Sequence, residues 1–159
     1  MLKTSTASLL LLLFTTFSPA SAEEHSALKP VPRSGGWITR HESFNKRVAE
    51  GDVDLVFIGD SITQGWEGAG KGVWAKYYGE RNAVNLGIGG DRTQHVIWRL
   101  DNGNLKNITP KAAVIMIGTN NSGSNTSQEI ADGVAKIVEQ IREKSPNTKI
   151  LLLAVFPRG

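Results

Sequence analysis

Four short runs of aliphatic and β-branched residues, 53–58 (VDLVFI), 83–86 (AVNL), 112–117 (AAVIMI) and 149–156 (KILLLAVF), recur along the chain, with helix-length stretches between them. This alternation constrains the fold more than any other feature. Strands joined by long connections pair in parallel, their crossovers are right-handed, and the intervening helices cover both faces of the sheet. The expected class is therefore α/β, a three-layer parallel sheet.

The stretches between the strands carry helical signals of their own. Trp37, His41, Phe44 and Val48 share one helical face, and Gly51 follows where a helix would stop. A second helix is expected around 73–78. Asp91 followed by Gln94 has the spacing of a capping box opening a helix over 93–100. Thr126 followed by Glu129 opens the clearest helix, where Ile130, Val134, Ile137, Val138 and Ile141 form a core-facing stripe that stops before Pro146.

The start of the chain reads differently. Lys3 precedes an uncharged run, 7–17, with leucine at every position from 9 to 13, and Pro19 leads to Ala20-Ser21-Ala22. Residues 1–22 have the form of a signal peptide cleaved after Ala22, so the protein is expected to be secreted or periplasmic. A membrane span needs roughly 20 apolar residues, and this run is shorter and interrupted by Thr15, Thr16 and Ser18. Residues 23–36, rich in Pro, Ser and Gly, read as a flexible lead-in, and 37–159 as a single domain. The absence of cysteine excludes disulfides, thiolate metal sites and a Cys nucleophile. Lys plus Arg exceed Asp plus Glu by only 18 to 15, with no dense basic stripe, which argues against nucleic acid as a partner.

The first three strands each end in a polar, glycine-bearing turn: Gly59-Asp60-Ser61, Gly87-Ile88-Gly89-Gly90 and Gly118-Thr119-Asn120-Asn121. In an open parallel sheet such turns collect at one edge, where ligands bind. Ser61 falls at the start of a helical turn, a position that suits a nucleophile and equally suits a cap. Gly90 offers an N–H with no side chain in the way, and Asn120 an amide donor. With the N–H of Ser61 they supply the three donors of an oxyanion hole. Each residue alone would be an ordinary turn residue; their joint occurrence after successive strands points to acyl transfer.

These blocks resemble a known superfamily. Gly59-Asp60-Ser61-Ile62, Gly89-Gly90-Asp91 and Gly118-Thr119-Asn120-Asn121 are similar to the first three blocks of the SGNH (GDSL) hydrolases. NLGIGGDRTQHVIWRLDNGNL, PKAAVIMIGTNN and the closing VFPRG resemble the platelet-activating-factor acetylhydrolase Ib catalytic-subunit group and its bacterial relatives. The resemblance covers about residues 37–159. It implies a flavodoxin-like fold and a serine hydrolase of acyl or acetyl esters, carried by lipids or carbohydrates. It gives Ser61 as nucleophile and Gly90 and Asn120 as oxyanion donors, with no metal or cofactor. Subunits of the group can dimerise, and a homodimer is compatible with this chain.

The pattern is departed from in one respect. The family draws its base from an Asp-x-x-His block near the C-terminus, and no such block occurs among these 159 residues. The expectation is a C-terminally truncated domain whose Asp-His pair lies beyond residue 159, nearly inactive as given, with Leu151, Leu152, Leu153 and Val155 uncovered. His95, four residues beyond Asp91, is the one candidate base within the chain, while Asp60 and Asp91 read as turn and cap residues. Two rivals stand beside the hydrolase. The first is an FMN-binding carrier using 59–65 (GDSITQG) as a phosphate loop, which leaves the other two turns without a role. The second is an inactive hydrolase-like binding module with Trp66 and Trp74 as a carbohydrate platform, although rings so placed more often pack.

Overall fold

The computed structural model describes residues 24–156. The expected signal peptide, 1–22, lies outside the described residues. From the N-terminus the elements are α1 (Gly36–Ala49), β1 (Leu55–Gly59), α2 (Ser61–Gln64), a 3-10 turn (Gly65–Glu67) and α3 (Lys71–Tyr77). There follow β2 (Ala83–Gly87), α4 (Thr93–Asp101), β3 (Ala112–Met116), a second 3-10 turn (Thr119–Asn121), α5 (Ser127–Lys144) and β4 (Lys149–Leu152). The strands form one parallel sheet in the order β2-β1-β3-β4. Gly59 stands level with Gly87 on one side and Met116 on the other, so the first three strands end together.

The side-chain period of the strands builds the layers. Val56 and Ile58 point to one face, where with Val84, Leu86, Ala113 and Ile115 they form a core with Trp37, Phe44 and Val48 of α1, Val96 and Ile97 of α4, and Ile137 and Ile141 of α5. Phe57 points to the other face, and its ring meets Trp66, Trp74 and Tyr78 at centroid distances of 4.9–6.2 Å. Trp66 and Trp74 thus belong to an aromatic packing cluster on the α2–α3 side.

The expected stripe on α1 is buried as read, His41 included. The start of α5 carries its reciprocal box: the Glu129 N–H donates to Thr126 Oγ1 at 3.3 Å, and the Thr126 N–H donates to Glu129 Oε2 at 2.9 Å. Three readings shift. β1 begins two residues late, at Leu55, because 53–54 still belong to the connection from α1. β4 ends at Leu152, and Leu151, Leu152, Leu153, Val155 and Phe156 are exposed. Among the described residues no strand pairs with the far edge of β4.

The third shift concerns Asp91. It is not the cap of α4: the N-cap is Arg92, whose N–H donates to His95 Nδ1 at 2.9 Å, while the Asp91 carboxylate turns inward. The stretch expected as a flexible lead-in also lies against the body. Ala27 is fully buried and its carbonyl accepts from Thr93 Oγ1 at 2.8 Å, the Val31 N–H donates to the Gln94 carbonyl, and His25 meets Asp132 at 3.3 Å. Composition suggests a tether here; burial of Ala27 beside Gly133 of α5 makes it part of the packing.

Candidate active site

The strand order reverses between β1 and β3, and the turns that follow those strands meet the turn after β2 at the carboxyl edge of the sheet. This is the switch point at which open α/β sheets hold ligands. Ser61 is the first residue of α2, where a backbone N–H has no intrahelical acceptor, and its side chain is exposed. Asp60 sets the turn by accepting the Ile62 N–H on Oδ1 at 2.9 Å. The expectation that Asp60 is a turn residue is therefore met in detail.

The second turn is pinned to the first. The Gly89 N–H donates to Gln64 Oε1 at 2.7 Å, and a Cβ placed on Gly89 would lie 3.7 Å from the Cβ of Ser61. Gly90 adopts φ +77°, a conformation that L side chains rarely take, and its N–H donates to no group among the described residues. The third turn closes the group. Asn120 Nδ2 donates to the Asp91 carbonyl at 2.8 Å and reaches Asp60 Oδ2 at 3.4 Å. One side chain thus bridges the residue before Ser61 and the residue after Gly90. Asn121, fully buried, ties the same turn to α4 by accepting the Thr93 N–H at 3.0 Å.

Beneath these turns lies a buried charge cluster. Asp91 accepts from Trp37 Nε1 at 2.6 Å and Arg33 Nη1 at 3.3 Å on Oδ1, and from Arg99 Nε at 3.0 Å on Oδ2. Arg99, 1% exposed, also donates to the Leu86 carbonyl at 2.9 Å and to Asn104 Oδ1 at 2.7 Å. Burial pushes the Asp91 carboxyl above the ordinary carboxylate value, and Arg99, Trp37 and Arg33 pull against that shift.

The histidines serve other ends. His41 is buried against Asn102, Asn104 and Asn45, and burial lowers its pKa. His95 accepts the Arg92 N–H on Nδ1, and burial, followed by the Arg33, Arg92 and Arg99 charges, takes its pKa down to about 4. A ring so held is neutral at pH 7 with one nitrogen already committed, which makes it a poor proton acceptor. The Ser61 hydroxyl makes no side-chain hydrogen bond among the described residues.

Sequence reasoning singled out Ser61, Gly90 and Asn120, and the structure brings their turns together. It missed Arg33, Gln64, Arg99 and Asn121. Asn121 and Gln64 lay inside the blocks already singled out and could have been read as their supports. Arg33 and Arg99 gave no such signal, because they act on the second turn from a lead-in and from a helix.

A parallel sheet with this order and this edge is consistent with a hydrolase of the GDSL type. Residues 57–159 match the family model of the GDSL-like lipase/acylhydrolase family, and the chain belongs to that family. Among relatives, it is 38% identical over 144 residues to platelet-activating factor acetylhydrolase IB subunit alpha1 of Homo sapiens, covering 87% of this chain and 61% of that one. It is 41% identical over 123 residues to subunit alpha2 of Rattus norvegicus, covering 77% of this chain and 52% of that one. The chain thus spans little more than half the length of these relatives. A solved structure from Streptococcus pneumonia, named for platelet activating factor, superposes with a TM-score of 0.63 at 23% identity, over 76% of this chain and 55% of that one. That likeness supports the fold.

Proposed function

We propose that this protein is an exported serine hydrolase of carboxylic esters, with small acyl groups such as acetyl, on lipid or carbohydrate alcohols, as the substrate class. One observation carries the reading: Asn120 Nδ2 spans the turns of Ser61 and Gly90 through the Asp91 carbonyl and Asp60. Family membership and the acetylhydrolase relatives support it. In this reading Ser61 Oγ attacks the ester carbonyl. The oxyanion is met by the N–H groups of Ser61 and Gly90 and by Asn120 Nδ2, whose 3.4 Å contact with Asp60 is long enough to yield to it. Water then cleaves the acyl-enzyme. None of the three histidines here is placed to take the Ser61 proton, since His41 faces Asn102, His95 accepts the Arg92 N–H and His25 meets Asp132; the family resemblance gives that task to an Asp-x-x-His block.

The test uses the gene product expressed through its own stop codon and p-nitrophenyl acetate as substrate. Hydrolysis is expected, with Ser61→Ala lowering kcat by about 10³-fold or more. Hydrolysis unchanged in Ser61→Ala would reject the assignment. Export is tested by N-terminal sequencing of the mature protein, which is expected to begin at Glu23.

A further inference from the structure

We propose that Arg33 is a positioning residue for the oxyanion donor at Gly90, an inference that rests on the functional reading above. Arg33 Nη1 donates to the Gly89 carbonyl at 2.8 Å and reaches Asp91 Oδ1 at 3.3 Å, so one guanidinium grips the chain on both sides of Gly90. The grip on Gly89 has a particular consequence. The Gly89 carbonyl and the Gly90 N–H belong to one planar trans peptide and point in opposite directions, so whatever holds the oxygen aims the N–H. Arg33 therefore directs the Gly90 N–H from behind.

The need for such a grip follows from the sequence. Gly89-Gly90 is the least restrained dipeptide a turn can contain, and Gly90 at φ +77° occupies a region that L side chains rarely adopt. A rotation of the 89–90 peptide would turn a carbonyl, not an N–H, toward the reacting centre. The neighbouring peptides are already fixed, by Gln64 on the Gly89 N–H and by the Asp91 N–H donating to the Ile88 carbonyl at 3.1 Å. The 89–90 peptide is fixed by Arg33. Close packing adds to this, since a Cβ on Gly90 would lie 3.3 Å from Arg33 Nη1. A cation on the carbonyl also polarises the peptide and strengthens its N–H as a donor.

Arg33 lies before α1, and its side chain is 38% exposed, so replacing it leaves the buried core in place. The experiment compares wild type, Arg33→Met and Arg33→Lys in two measurements. In the gene product expressed through its stop codon, Arg33→Met is expected to lower kcat about 10- to 100-fold with KM within about threefold, and Arg33→Lys to restore most of the loss. In the 159-residue chain, Arg33→Met is expected to shift and broaden the Gly90 amide resonance in a 15N–1H spectrum while the amide resonances of the core strands keep their wild-type positions. A kcat within about twofold of wild type with an unmoved Gly90 amide would overturn the proposal. So would a rise in KM at constant kcat, which would make Arg33 a substrate contact. If the wild-type product hydrolyses no ester, the functional reading fails, and the Gly90 amide still decides whether Arg33 orients that peptide.

Discussion

Replacing Arg99 by Met tests whether the buried charge cluster under the second turn is structural in the sense described. Arg99 is 1% exposed and supplies both contacts to Asp91 Oδ2 as well as the donors for the Leu86 carbonyl and Asn104 Oδ1. Removing one member of a buried ion pair costs about 3–5 kcal/mol, because the remaining charge must stay unpaired or take up a proton. Trp37 and Arg33 still hold Oδ1, which lowers the loss, while two buried acceptors lose their donors, which adds about 1 kcal/mol each. The net expectation is about 4 kcal/mol, a large part of the 5–15 kcal/mol typical of a domain. Urea unfolding of the 159-residue chain, followed by tryptophan fluorescence, measures it. Asp91→Asn combined with Arg99→Met removes the stranded charge, so the double variant should be more stable than the two single losses added together by about 1–3 kcal/mol. A loss below about 1 kcal/mol in Arg99→Met, or strict additivity in the double variant, would refute the reasoning.

Two further outcomes follow from the packing and the titrating groups. Gly133→Ala in the middle of α5 would gain about 1 kcal/mol on an exposed helix. Here the new Cβ would stand 2.7 Å from Thr93 Oγ1 and 2.9 Å from the Ala27 carbonyl, so a net loss of about 1–2 kcal/mol is expected by thermal melting; a raised Tm would contradict it. His95, with a side chain 12% exposed, is held neutral with a pKa of about 4 against 6.5 when unfolded. The unfolded chain binds the proton first, so the stability His95 contributes is complete above pH 6.5 and is lost as pH falls toward 4, by about 3 kcal/mol in all. His95→Asn should flatten this part of the urea-midpoint profile, and an unchanged slope would refute it.

The parts of the fold set by local pattern were legible in the chain. The Thr126 and Glu129 box and the buried pair Ile137 and Ile141 match the helix as read, because cap and core face depend on residues a turn apart, while Ile130, Val134 and Val138 of the expected stripe are half-buried. The three turns could be placed together because parallel strands leave their connections no other edge. Asp91 shows where such reading ends. Its spacing from Gln94 suggests a cap, yet Trp37 and Arg99, 54 and 8 residues away in the chain, draw the carboxylate into the core and leave the cap to Arg92. Burial of an arginine on α4 and docking of the Pro- and Gly-rich lead-in depend on the same kind of distant partner. No local period records them. Trp66 and Trp74 could be read from sequence as a platform or as packing, and in the fold the two half-buried rings meet Phe57 and Tyr78.

The central claim is that Ser61 is an activated nucleophile at the junction of the three turns. Reacting the gene product, expressed through its own stop codon, with a fluorophosphonate probe and mapping the adduct by peptide mass spectrometry tests it most directly. The account predicts a single adduct on Ser61, absent from Ser61→Ala and slowed in Asn120→Ala by about 10²-fold through loss of an oxyanion donor. Labelling elsewhere, or no labelling of a folded protein, would contradict it.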